Sequence, residues 1–300
     1  MKHATCLLAL TLSVYAQPRP TPVTSQMLAK PDPADWLMWR RTLDSWGYSP
    51  LNQINRGNVA NLKLVWTRGM AEGTQEGTPL VHDGVMFLPN PGDLIQALDA
   101  ATGDLLWESK RQFPEGFRGG NANTTRTLAI FGKSVIDLSA DDFVYGLDVD
   151  TGKMTWETRV LDYREDSGTQ SGGPIVAGGK IFSTRACRYN NASPNGCVIT
   201  AHDAATGKEL WRTDKVTELS SGGSIHLTTN GENTFLYTDR GELIVASLSG
   251  HEYKEISRAA LLEPTYPLDG RKFAWVPPAY ANRCVFARND KELVCAFLAE

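Results

Sequence analysis

Short apolar runs that alternate with polar positions recur along the chain and are broken by small-residue turns, the pattern of half-buried strands. It is clearest in three segments, IQALDAATGDLLWES, VYGLDVDTGKMTWET and ITAHDAATGKELWRT, whose tryptophans Trp107, Trp156 and Trp211 are 49 and 55 residues apart. Each reads as strand, Asp-x-x-Thr-Gly turn, strand. The Asp carboxylate can hold the turn backbone, the Gly takes a positive φ without steric cost, and the Trp brings a large apolar surface to a sheet interface.

A second pattern precedes each copy: GTPLVHDGVMFL, RTLAIFGKSVIDLS and SGGPIVAGGKIFST, two short strands around a small-residue turn. Together the halves make about four strands per unit. Two further units, SIHLTTNGENTFLYTDRGELIVASLSG and PPAYANRCVFARNDKELVCAFLAE, keep the front half and lose the Thr-Gly turn. Self-similarity at this period predicts an all-β fold, a β-propeller of four-stranded antiparallel blades with about five repeat units. The last unit stops after about three strands, and the orphan run LKLVWTR around Leu62 to Trp66 resembles a blade's final strand. Because closure removes exposed sheet edges, this N-terminal strand is expected to close the last blade.

The first residues, MKHATCLLALTLSVYA, join a basic start to an apolar run too short to span a bilayer and end on small residues. They read as a signal peptide over 1–16, which implies an exported protein, periplasmic or extracellular, with no membrane span after cleavage. Residues 17–34 are rich in Pro and polar residues and read as a linker; 35–300 is the propeller. With 41% hydrophobic and 21% charged residues the body has the composition of an ordinary folded domain. A formal net charge of -4 offers no electropositive surface for phosphate backbones, so nucleic acid is excluded as the expected partner.

Export also permits disulfides among Cys187, Cys197, Cys284 and Cys295. A two-residue turn at Asn289-Asp290 would set Cys284 directly opposite Cys295, while buried unpaired thiols are the alternative.

The Asp-x-x-Thr-Gly-x-x-x-Trp copies, with the opening WLMWRRTLDSWGYSPLNQINRGNVANLKLVW, resemble pyrroloquinoline-quinone (PQQ)-dependent alcohol dehydrogenases over residues 35–214. Residues 222–300 look instead like the end of an uncharacterised exported propeller of the same quinoprotein-like superfamily, which also contains non-catalytic outer-membrane assembly scaffolds. The resemblance implies a quinone held at the ring centre over calcium, with an Asp base taking the alcohol proton as hydride passes to the quinone. By local motif it assigns cofactor binding to Glu76 in TQEGTPLV, Arg126 in TTRTLAIF and Ser171 in TQSGGPIV. Cationic and hydroxyl donors suit a tricarboxylate.

Each of the three has a plainer alternative: a surface ion pair for Arg126, a strand start for Glu76, a tight turn for Ser171. Departures from the family pattern are sharper. The adjacent Cys-Cys pair would fall near Asn123 and Thr124, and the calcium-binding Glu near Tyr189, which brings no carboxylate. After Trp211 no WDxD-type run supplies the catalytic Asp. Calcium is therefore not supported.

Among other groups, His82 and His226 read as structural and His202 as a packing residue, while Asp99, Asp148 and Asp203, present once per blade, serve the fold. Asp239 and Asp290 sit at hairpin turns. Two functions stay open: a PQQ-dependent oxidoreductase acting on CH-OH groups of an alcohol or sugar, or a non-enzymatic propeller whose face binds a protein or small ligand.

Overall fold

The computed structural model describes residues 17–117, 122–164, 172–185, 198–217, 223–249, 251–268 and 270–297. The expected strands form antiparallel meanders in chain order. The first sheet contains β1 (Leu80–His82), β2 (Val85–Asn90), β3 (Leu94–Asp99) and β4 (Leu105–Lys110). The second contains β5 (Ala129–Phe131), β6 (Ser134–Leu138), β7 (Phe143–Asp148) and β8 (Met154–Arg159). The third contains β9 (Ile175–Ala177), β10 (Lys180–Arg185), β11 (Val198–Asp203) and β12 (Glu209–Thr213). The fourth contains β13 (Ile225–Asn230), β14 (Asn233–Thr238), β15 (Glu242–Leu248) and β16 (Tyr253–Ala260). A hairpin of β17 (Tyr266–Leu268) and β18 (Arg271–Phe273) follows. The last sheet has three strands, β19 (Ala279–Ala281), β20 (Cys284–Arg288) and β21 (Leu293–Phe297). These are the blades of a β-propeller.

The repeated turn explains how one blade grips the next. In the second and third sheets one Asp oxygen, on Asp148 or Asp203, accepts from the backbone N–H and hydroxyl of the turn Thr at 2.8–2.9 Å. The Gly N–H closes on the Asp carbonyl at 2.8 Å. The Gly then serves as the seat for the preceding blade's indole. A Cβ on Gly152 would lie 2.4 Å from the Trp107 ring, and one on Gly207 would lie 2.1 Å from the Trp156 ring. Trp107 Nε1 donates to Val149 O and Trp211 Nε1 to Ser249 O, both at 2.9 Å. Within its own sheet each Trp faces a small residue, in the pairs Ala97↔Trp107, Gly146↔Trp156 and Ala201↔Trp211. A bulky partner there would push the indole off its seat.

The buried apolar residues form one cluster through the first three sheets, a second between the third and fourth, and a third towards the last. The linker region contributes to the first: Val23 and Leu28 are buried, and Val23 bridges Gly132. A short helix α1 (Ser25–Ala29) there is capped by the Thr24 side chain.

Two expectations are corrected. Residues 62–66 form no strand and make no ladder with the last sheet; Trp66 is instead hooked onto the first sheet, its Nε1 donating to Ala100 O at 3.2 Å and its ring against Gly103. That hook holds the segment against the first sheet. The β20–β21 turn is also wider than two residues, because Asn289 Oδ1 accepts from the N–H groups of both Lys291 and Glu292 at 2.8 Å. Arg288 therefore pairs with Leu293, which sets Cys284 opposite Phe297 and Cys295 opposite Phe286. The two thiols are diagonal neighbours, unbonded in the structure, and Cys187 and Cys197 lie outside the described residues.

Candidate functional site

Antiparallel meanders put the β2–β3 type turns and the loops between sheets at one end of the blades, and the β1–β2 and β3–β4 type turns at the other. Glu76 and Arg126 precede β1 and β5, so both belong to the loop end. Their loops run side by side: Thr74 bridges Thr124, and a Cβ on Gly77 would lie 2.6 Å from Arg126 O. The Thr125 hydroxyl accepts from the N–H groups of Glu76 and Gly77, each at 2.7 Å. The Glu76 side chain itself is exposed. Ser171 and Tyr189 lie outside the described residues.

Arg126 points inward and is only 2% exposed. Its Nη1 donates to Asp93 Oδ1 at 2.8 Å, and the other oxygen of that carboxylate accepts from Ala140 N at 2.7 Å. Asp93 occupies the β2–β3 turn at φ +48, so one acidic turn of the first blade ties down both the loop and the corresponding turn of the second. Burial raises the Asp93 carboxyl, with Arg126 opposing.

This pair belongs to a larger set of buried charges. Asp137 accepts from Leu138 N at 2.7 Å and from the Tyr145 hydroxyl at 3.0 Å. Burial first, and then the Asp93 charge, push its carboxyl up to about 7. Burial and Asp137 together raise the Tyr145 phenol well above its ordinary value. Towards the rim, Arg111 donates to both oxygens of Asp141 at 2.6 and 2.9 Å and to Glu157 at 3.1 Å, over the Phe143 ring at 4.6 Å. Burial works against the Arg111 charge, but the carboxylates outweigh it and hold its pKa above the usual arginine value. Arg185 meets Asp142 at 3.2 Å, and burial lowers its guanidinium to about 10.

A cleft of about 540 Å³ opens beside Arg111, floored by Phe143, Tyr145 and Leu147 and edged by Lys110, Arg159 and Arg164. Its size suits a small ligand, and its edge offers both cations and aromatic faces. Asp239 lies farther along the same end, buried, accepting from Thr217 Oγ1 at 3.0 Å and Ser224 N at 3.2 Å. Burial raises its carboxyl, and neither Glu76 nor Arg126 is among its hydrogen-bond partners. Asp290 is exposed, beside Thr265.

Sequence reasoning missed Asp93, Thr125 and Asp137. A turn Asp and a mid-strand Asp give no local signal; only the docking of successive blades sets them around Arg126.

At the opposite end, His82 is fully buried, with Nδ1 2.9 Å from Asp35 Oδ2 and Nε2 2.9 Å from Thr21 O. His82, Asp35 and Asp83 form the cluster of potential metal ligands found among the described residues. Its ring nitrogens are already met by protein oxygens that tie residues 21–35 to the first sheet. His202 is buried against Glu209, and desolvation lowers its imidazole to about 4.

The fold and this loop end define the class: a β-propeller of hooked up-and-down blades that gathers its non-repeating charged residues at one end. Residues 36–235 match the family model described as glucose/ethanol/alcohol dehydrogenase, beta-propeller domain, and the chain belongs to that PQQ propeller family. Residues 194–300 also match the model of outer membrane protein assembly factor BamB. Among curated relatives, the dehydrogenase subunit of the quinone alcohol dehydrogenase of Komagataeibacter europaeus is 36% identical over 185 residues, 60% of this chain and 25% of that one. Quinohemoprotein alcohol dehydrogenase ADH-IIG of Pseudomonas putida is 33% identical over 190 residues, 61% of this chain and 26% of that one. The chain thus spans about a quarter of the length of these relatives. The solved structure of ADHIIG from Pseudomonas putida HK5 superposes with a TM-score of 0.65 at 20% identity, covering 94% of this chain and 51% of that one. A europium-containing methanol dehydrogenase gives a TM-score of 0.66 at 18% identity, covering 87% and 55%.

Proposed function

We propose that this chain is a PQQ-binding-like propeller without an assembled dehydrogenase centre, whose loop end binds a protein or small ligand and does not turn it over. The observation that carries this reading is the buried Arg126–Asp93 pair. A tricarboxylate quinone needs cationic donors presented to it, whereas this guanidinium is 2% exposed and already faces a carboxylate, with Asp137 close behind. Glu76 adds negative charge, which calcium would have to offset, and the family resemblance would put the calcium carboxylate near Tyr189, a residue type that brings none. A cation already buried against a carboxylate supports a loop end that does not hold the quinone. The signal-like first sixteen residues support an exported location.

The second reading is an active quinone-dependent oxidoreductase on alcohol or sugar CH-OH groups, with Glu76, Arg126 and Ser171 as cofactor ligands. It is favoured by the similarity to quinone alcohol dehydrogenases over 185 residues. Isothermal titration of the mature protein with PQQ, with and without calcium, separates the two, together with a dye-linked screen of alcohols and sugars. We expect no saturable heat and no alcohol-dependent dye reduction. Saturable, calcium-dependent binding that disappears in Arg126→Ala, with dye reduction, would replace our reading by the second.

A further inference from the structure

One buried position breaks the repeat away from the loop end. In each of the first three sheets, the residue after Ala97, Gly146 or Ala201 pairs with the outermost strand just past the register shift. In the first two sheets that pair is apolar, Leu98↔Leu105 and Leu147↔Met154. In the third it is His202↔Glu209. Leu98, Leu147 and His202 are each no more than 1% exposed. A slot that two blades fill with leucine therefore holds an imidazole in the third.

Neither nitrogen of that imidazole has a hydrogen-bond partner among the described residues. His82, just as buried, has a carboxylate at one nitrogen and a carbonyl at the other, each at 2.9 Å. Glu209 of β12 stays 3.8 Å from His202 Nε2, and Arg212 of the same strand holds both its oxygens at 2.8 and 2.6 Å. Arg185 ends β10, paired with Asp142 of the second sheet. A proton on the ring is thus opposed first by desolvation, favoured by Glu209, and opposed again by Arg185 and Arg212.

The slot belongs to the junction between the second and third blades. His202 pairs with Ile181, a member of the core cluster that runs through the first three sheets. Ile199 and Ala201, on the other face of β11, belong to the cluster shared with the fourth. This junction also lacks the indole hydrogen bond of its neighbours. Trp107 and Trp211 donate to carbonyls of the next blade, whereas Trp156 Nε1, whose ring lies on Gly207, has no partner among the described residues.

We propose that His202 makes the junction of the second and third blades an acid-sensitive latch, closed while the ring is neutral and opened when the ring takes up one proton. This is independent of whether the loop end holds a quinone. The unfolded chain protonates this imidazole near its ordinary 6.5, the folded protein only at about 4. The contribution of the latch is therefore complete above about pH 6.5 and is lost as pH falls towards 4.

Hydrogen exchange of the full chain, corrected for the intrinsic rate at each pH, tests this on peptides from β11 and β12, with β1 to β4 as the reference. Linkage to one proton changes an opening constant by up to about tenfold per pH unit. Between about pH 7 and about pH 4.5 the opening constant of the third sheet should rise at least about tenfold, and that of the first sheet should rise less. His202→Leu restores the residue type of the first two blades, and His202→Gln keeps a polar group that does not titrate. Both should abolish the rise, and the Gln variant decides if the Leu variant fails to fold. No rise in the parent protein would overturn the proposal. So would a rise that persists in the variants, or one that is equal in the first sheet.

Discussion

The two ends of the blades are built on different principles. At the turn end the same device recurs, an Asp that holds its turn and a Gly that receives the neighbour's Trp, so its chemistry is periodic and its carboxylates face water. At the loop end nothing repeats faithfully: Asp93, Asp137, Asp141 and Asp142 are buried among Arg111, Arg126 and Arg185, each in a different arrangement. Repetition marks residues retained for docking blades. Departure from it, together with buried charge, marks the end where a family of this kind can differ in function.

Removing one partner of the buried set should have the largest effect. Arg126→Ala leaves Asp93 with an uncompensated charge, and a loss of about 3–5 kcal/mol is expected in urea unfolding. Replacing both Arg126 and Asp93 by Leu should recover most of that. A loss near zero for Arg126→Ala would mean that the pair is not structural and would strengthen the cofactor reading.

The turn end should answer to shape. Gly207→Ala adds a methyl against the Trp156 indole at positive φ and should cost about 3 kcal/mol. Gly132→Ala, at φ +57 with nothing within 4 Å, should cost only about 1 kcal/mol for the backbone. Equal losses would show that the Trp seat contributes nothing beyond the turn.

The ends should also differ in the sign of their pH dependence. Asp137, pushed up to about 7, keeps its proton in the folded protein between the ordinary carboxylate range and neutrality, where the unfolded chain has lost it. Its contribution to stability therefore falls as pH rises from about 4 to about 7. Asp137→Asn should abolish that slope relative to the parent in urea midpoints measured across this range. Asp203 is the reverse case: hydrogen bonds from Thr206 hold its carboxyl below the usual range despite some desolvation. Its stabilisation is present above its unfolded value and is lost as pH falls through the lower folded value. The smallest effect belongs here. Asp203→Ala should cost about 1 kcal/mol at neutral pH and progressively less in acid, where the native carboxyl protonates.

Much of the fold was legible in the chain, because strand alternation and the Asp-x-x-Thr-Gly turn are local. The register at Cys284 and Cys295 was not, since it depends on whether the Asn289 side chain closes a two-residue or a four-residue loop. Nor was the fate of residues 62–66, where a strand-like pattern was plain but its partner was not. Of the candidate site, the closeness of the Glu76 and Arg126 loops followed from their equivalent places before β1 and β5. The inward turn of Arg126 onto Asp93 did not, because those residues are 33 apart and meet only when two blades dock.

The sequence by itself determined the class of element and the repeated four-stranded unit, since each depends on contacts within a turn or a hairpin. Tertiary structure alone decided that the repeated Gly is a seat for an indole as well as a turn residue. It also decided that Arg126 faces a buried carboxylate, and that residues 62–66 do not pair with the last sheet. In every such case the deciding partner comes from another blade, at a distance along the chain that local propensity does not reach.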